Sequence, residues 1–418
     1  MLRVLRHREF TLLWCAGLVS VAGDWVLLAA LPFFVWTETG STLATAGMTI
    51  AELVPGIVLS SFTGVVADRT SRRTILLVGY GAQAVVVCAL LAVAAGGPLA
   101  VVYVVALAQS SASAFTGPAE AALLPDLVPN DELVAANAMN TLNNRLGRLA
   151  GIPLGAVLLA GPGLSAVVLV DAGTFVVALL LVLGLRSPAA RRTADAPEGF
   201  RVEWLAGLQV IREDRGIAAL FVVFGLMTFG GTMIDPLSAP WVADVLGGGP
   251  EVYALLLAVA SVAGIVGSVL VGTVGPRVPA HVLIGWASVL AGVATAVRVN
   301  VPVLGVAVTL TAITGVLAVA SAVGVETLAQ QRVPAALRGR VFGSLQATIW
   351  LMSLLGAALG GVLGEVLGPV GGLDVSAALL VLSGVVALGD SRADRTSRRV
   401  RRGPRTRPAA GAERRGRR

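Results

Sequence analysis

The chain has 418 residues, 56% of them hydrophobic and only 13% charged, where a soluble domain carries roughly a quarter charged residues. That balance excludes an ordinary soluble protein and points to a polytopic membrane protein. The net charge of +7 comes from arginine alone, with no lysine in the chain, and the placement of those arginines argues against a nucleic acid as partner.

A helix that crosses a bilayer needs about 20 apolar residues. Runs of that kind fall at roughly 10–36, 43–67, 74–95, 99–123, 133–160 and 164–186. The polar stretch 187–216 interrupts them, and six more follow at 217–242, 251–275, 280–298, 303–328, 337–364 and 373–390. The first run follows charged residues and has no small-residue cleavage site, so it is expected to be a retained helix. Twelve spans put Arg3, Arg6 and Arg8, then Arg69, Arg72 and Arg73, then Arg186 to Arg215, Arg277, Arg332, Arg338, Arg340 and the tail on one side. The opposite connections hold Glu38, Asp244, Glu251 and Arg298. Basic residues stay in the cytoplasm, so both termini are expected there, in a multi-pass plasma-membrane protein.

The expected organisation is an N-terminal six-helix half (1–186), a cytoplasmic linker (187–216), a C-terminal six-helix half (217–390) and a disordered arginine-rich tail (391–418). Phe200, Trp204, Leu208 and Ile211 recur at helical spacing in the linker, which predicts an amphipathic helix on the inner surface. The tail reads as an electrostatic anchor for anionic lipids, with nucleic-acid contact as the competing reading. Cys15 and Cys88 lie inside apolar runs, and His7 and His281 sit at span edges, so neither a disulfide, a metal site nor a cofactor is expected. The halves echo each other: Gly64-x-x-x-Asp68-Arg69 with Gly272-x-x-x-Pro276-Arg277, Val128-Pro129 with Val333-Pro334, and Gly151 and Gly155 with Gly356 and Gly360. These echoes at nearly constant offset point to two parallel repeats.

The stretch Gly64-Val65-Val66-Ala67-Asp68-Arg69-Thr70-Ser71-Arg72-Arg73 joins the second and third runs. Gly64 permits close helix approach, Asp68 is placed to accept from a helix N-terminus, and Arg69, Arg72 and Arg73 suit the head-group layer. A plain positive-inside turn would need only the arginines. The stretch resembles the loop signature of the major facilitator superfamily, Gly-x-x-x-Asp-Arg-x-Gly-Arg-Arg, with Ser71 in place of Gly. The stretches Gly117 to Pro129, Asn137 to Arg145 and Leu337 to Phe342 are similar to the macrolide-efflux-like and enterobactin-exporter-like branch. This resemblance implies an all-α integral membrane protein with the major facilitator fold, two six-helix repeats and a conformational latch at Gly64, Asp68, Arg69, Arg72 and Arg73. It also implies export coupled to proton entry.

Charges inside a membrane mark function by default. Asp24 lies ~21 Å along the first span at 1.5 Å per residue. Glu52 lies about nine residues into the second span and Arg145 about twelve into the fifth, also at intermediate depth. These three are the candidates for proton coupling, although Asp24 and Arg145 would equally serve as a structural ion pair. Asn137, Asn140 and Asn144 share a helix face that cannot point at lipid, so they are candidates for the substrate cavity. Glu120, Glu326, Arg338 and Arg340 read as charge ties at the cytoplasmic ends, and Asp171 and Asp235 as marks of an outer vestibule. Among the tryptophans, Trp36, Trp204 and Trp241 suit interface anchors.

The leading function is a monomeric secondary active exporter of small organic molecules (drug, macrolide-like or siderophore-like), working by alternating access with protons as coupling ion. A facilitator or importer of the same fold is the alternative. A membrane-embedded enzyme would need a catalytic cluster that the sequence lacks, and no Gly-x-x-x-x-Gly-Lys loop provides for ATP.

Overall fold

The computed structural model describes residues 2–186, 215–333 and 338–401, and among these there is no strand. The amphipathic linker helix and residues 402–418 of the tail lie outside the described residues.

The helices of the first half are α1 (Arg8–Thr39), α2 (Thr42–Arg69), α3 (Arg72–Val87, continued after a break as Leu90–Ala94), α4 (Ala100–Leu127), α5 (Leu133–Ala160) and α6 (Leu164–Leu183). Those of the second half are α7 (Arg215–Pro240), α8 (Pro250–Val274), α9 (Ala280–Asn300) and α10 (Leu304–Arg332). The last helical stretch, Arg338–Arg401, breaks at Gly368, whose φ of 73° is the left-handed conformation open to glycine, with Pro369 after it. The parts before and after the break are α11 (338–367) and α12 (369–401). Helix continues through Arg401, so the backbone does not change character at 391 as expected.

Ten stretches among the described residues are long and apolar enough to cross a membrane. One of them, Val341–Gly389, contains the break at Gly368, and α5 is too polar to be among the ten.

Ends of helices are set by local chemistry. Ser41 caps α2 by accepting from the Ala44 N–H at 3.1 Å, and Ser71 does the same for α3 through Thr74. Between α2 and α3 only Thr70 and Ser71 are non-helical, because the backbone of α2 runs on to Arg69 and Ser71 opens the next helix at once. The expected connection between the runs ending at 67 and starting at 74 is therefore mostly helix, and Gly64, Asp68 and Arg69 stand on the last turns of α2, their side chains outside the described residues.

Within the first half, α1 lies along α5 and α6, α2 along α4, and α3 along α4 and α6; in the second, α7 lies along α11 and α12, α8 along α10, and α9 along α10 and α12. Lipid offers no hydrophobic gain to helix pairing, so close packing of small residues carries it. The α1–α5 contact shows this: a Cβ on Gly151 would overlap the Ala22 carbonyl oxygen and lie 2.7 Å from Trp25 Cβ.

The halves meet along α2–α11 and α5–α8. At the end holding the α1–α2 connection the join is tight. Ser41 Oγ donates to Glu365 Oε1 at 2.5 Å, and Thr42 Oγ1 to the Gly361 carbonyl at 2.8 Å. Phe33 of α1 packs with Tyr253 of α8, ring centroids 5.9 Å apart, in a cluster with Leu237, Trp241 and Leu256. Apolar side chains and two short hydrogen-bonded contacts thus seal that end of the groove between the halves.

Candidate functional site

Below the seal, α5 and α8 line a cavity of about 490 Å³ between the halves. Asn140, Asn144, Arg145 and Arg148 supply one wall, Ala260, Ser261 and Gly264 the other, with Trp25 of α1 and Val319 of α10 at the sides. The arginines are three residues apart and share a helix face. Arg145 Nη1 donates to Ser268 Oγ across the groove at 3.1 Å, and the Arg148 guanidinium lies 4.5 Å from the Trp25 ring centroid. Asp235 of α7 is the acid whose field reaches Arg148, and it also reaches Glu52 of α2.

Two of the three predicted asparagines, Asn140 and Asn144, are in this wall. Asn137 is exposed, bonds back to the Leu133 carbonyl at 3.0 Å and takes no part in it. Asn143 is buried and ties α5 to α1 by donating to the Trp14 carbonyl at 2.7 Å.

The expected Asp24–Arg145 pair does not form. Arg145 reaches Ser268, and Asp24 has neither a hydrogen bond nor a basic partner among the described residues. The charges that act on Asp24 are acids: Asp171, Glu120 and Glu52. Asp171 of α6 is fully buried rather than in an outer vestibule. It lies against Gly23, where a Cβ would sit 2.5 Å from its Oδ1, and its Oδ2 has no partner among the described residues. Glu120 also departs from expectation, since it accepts from the Tyr80 hydroxyl inside the first half and not from a loop arginine. Glu326 is exposed on α10, and the side chains of Arg338 and Arg340 lie outside the described residues.

At the α2–α3 turn, the arginines bind protein. Arg72 Nη1 donates to Asp126 Oδ2 at 2.5 Å and to the Ala122 carbonyl at 2.7 Å, at the end of α4. Arg73 donates to the carbonyls of Val182 and Leu183, at the end of α6. Two consecutive arginines thus tie three helices of the first half together.

Sequence reasoning missed two cations. Arg148 is about fifteen residues into α5, so counting depth along the span would have found it. Arg298 closes the ninth apolar run, which points to a loop; α9 runs two residues further and Arg298 is buried inside the second half, its guanidinium 5.3 Å from the Trp241 ring centroid. Trp241, expected at an interface, is 1% exposed.

Comparison with known proteins agrees with this architecture. The model of the Major Facilitator Superfamily matches residues 13–295. The chain is 26% identical over 356 residues to macrolide efflux protein A of Streptococcus pyogenes, covering 83% of this chain and 86% of the relative. It is 25% identical over 366 residues to the multidrug efflux pump Tap of Mycobacterium tuberculosis, covering 82% and 83%. Among solved structures, a bacterial homologue of the iron transporter ferroportin superposes with a TM-score of 0.72 at 19% identity, covering 93% of this chain and 98% of that one. A bacterial homologue of the lysosomal transporter Spinster superposes at 0.71 and 17%, covering 92% and 97%. With more than half its length matched by the family model and an all-helical bundle of the same fold, the chain belongs to the major facilitator superfamily and is a multi-pass membrane transporter.

Proposed function

We propose that the chain is a proton-coupled exporter of small organic molecules, built of twelve spans in two six-helix repeats and working by alternating access. The observation that carries this reading is the central cavity, closed at one end and lined by α5 polar groups, together with a carboxylate in α1, Asp24, that has no basic partner among the described residues. The export direction is supported by relatives whose names describe macrolide and multidrug efflux. Splitting Val341–Gly389 at Gly368 and adding α5 to the ten apolar stretches gives the twelve spans. With both termini cytoplasmic, the sealed end faces outside and the cavity opens inward. A cysteine at Gly248 should then react with an impermeant thiol reagent in intact cells while one at Ser71 stays silent; the reverse would overturn the orientation.

In this reading Asp24, with Glu52 as its neighbour in field, loads a proton from outside and releases it inside. Opening the site to water on one side or the other changes the surroundings of a carboxylate that has no basic partner among the described residues, and with them its proton occupancy. Substrate binding against Asn140, Asn144, Arg145 and Arg148 competes with the protonated state. The turn carrying Gly64, Asp68, Arg69, Arg72 and Arg73 acts as the inner latch, the tail rests on anionic lipids, and the monomer is the working unit.

The test is transport of a macrolide, erythromycin, into inverted membrane vesicles with and without an imposed pH gradient. Uptake that follows the gradient and collapses with a protonophore is expected. Uptake indifferent to the gradient favours the facilitator instead.

A further inference from the structure

We propose a second binding site, inside the C-terminal half, for an organic monoanion with an apolar body. The reading rests on transport of small molecules by this chain but adds a place and a charge class. A cavity of about 400 Å³ lies among α7, α8, α9 and α10, within the size range of small-molecule sites. Its walls are mostly apolar, with Ile234, Leu256, Leu257 and Ala291 among them. Its floor toward the sealed end is Trp241 with Tyr253, both in the apolar cluster that closes the groove.

Arg298 is the group that demands a ligand. Its side chain lines the cavity and is about nine-tenths buried. Nη1 donates to Thr311 Oγ1 at 3.2 Å, the Trp241 ring covers one face, and Nε is buried with no partner among the described residues. Among the described residues no carboxylate forms an ion pair with it, Asp235 on the same cavity wall included. A buried guanidinium with free donors and no counter-ion is costly, and a carboxylate in the cavity would supply both charge and acceptors. The apolar walls then set the rest of the ligand, an aromatic or aliphatic body of about a dozen heavy atoms for that volume. Ala260 lies in the wall of this cavity and of the central one, so a ligand reaches Arg298 from the groove between the halves.

The probe is 1-naphthylacetate, compared with the neutral 1-naphthylacetamide and the cationic 1-naphthylethylamine, by equilibrium binding to the purified full chain in nanodiscs. The acid should bind at least about tenfold more tightly than the amide, as a charge-assisted hydrogen bond to arginine implies. Arg298→Gln should remove that preference, and Arg298→Lys should keep part of it. Because Arg298→Gln may fold poorly, Ala318→Phe provides the second variant: Ala318 is exposed on the cavity wall, and the larger side chain should block the probe without touching the charge. Equal affinity for acid and amide, or full acid binding in both Arg298→Gln and Ala318→Phe, would overturn the site. Since binding is read without transport, those outcomes leave gradient-driven efflux untouched, and loss of efflux leaves this site standing.

Discussion

In the proposed cycle, Asp24 is the residue on which coupling turns. It stands midway along α1 and has no basic partner among the described residues. Replacing it by Asn keeps the shape and removes the exchangeable proton. Gradient-driven efflux should fall at least about tenfold, within the range of coupling energies between sites, while substrate affinity stays nearly unchanged. Efflux from an imposed pH gradient, with binding measured in parallel, checks this; undiminished efflux would pass the role to Glu52. The sequence announced Asp24 because a charge deep in an apolar run is legible by counting. It did not announce the company Asp24 keeps. Arg145 has a sequence position suited to pairing, but depth along two helices does not say which faces oppose, and α5 turns Arg145 toward Ser268 of the other half. Arg298 was hidden by an uncertainty of two residues in where α9 ends, which is enough to move a cation from loop to core.

At the scale of elements, close helix approach does what hydrophobic burial does in water. Gly147, Gly151 and Gly155 recur every four residues on α5 and face the backbone of α1 from Val21 to Val26. Leucine at Gly151 would force the two helices apart. We expect a loss of ~1–3 kcal/mol, the usual cost of overpacking, read as a lower melting temperature in detergent. Leucine at Gly173, where a Cβ would meet open space, should melt like the unchanged protein. Equal melting of both variants would mean that the α1–α5 contact yields. This glycine spacing was visible in the sequence, as were the helix positions. The end of α2 was less so: the charged residues suggested a loop, whereas Ser71 as N-cap lets helix resume after two residues, and Arg72 and Arg73 bind the ends of α4 and α6.

The whole molecule is two bundles with their shared groove shut at one end by Ser41, Thr42, Gly361 and Glu365 and by the packing around Phe33 and Tyr253. Alternating access requires that seal to open in every cycle. With Cys15 and Cys88 replaced by serine, Ser41→Cys and Glu365→Cys joined by a short reducible bifunctional reagent should stop transport, and reductant should restore it. Full transport by the cross-linked protein would show that the seal does not open.

The proposed exchange of a proton for substrate is read most directly as proton release. Purified protein in weakly buffered detergent solution, held at a pH where the acids are loaded, is mixed with erythromycin while the pH of the medium is followed. The unchanged protein should release protons in step with binding, and Asp24→Asn should bind the macrolide and release markedly fewer. Binding without proton release by the unchanged protein, or equal release by Asp24→Asn, would contradict the account.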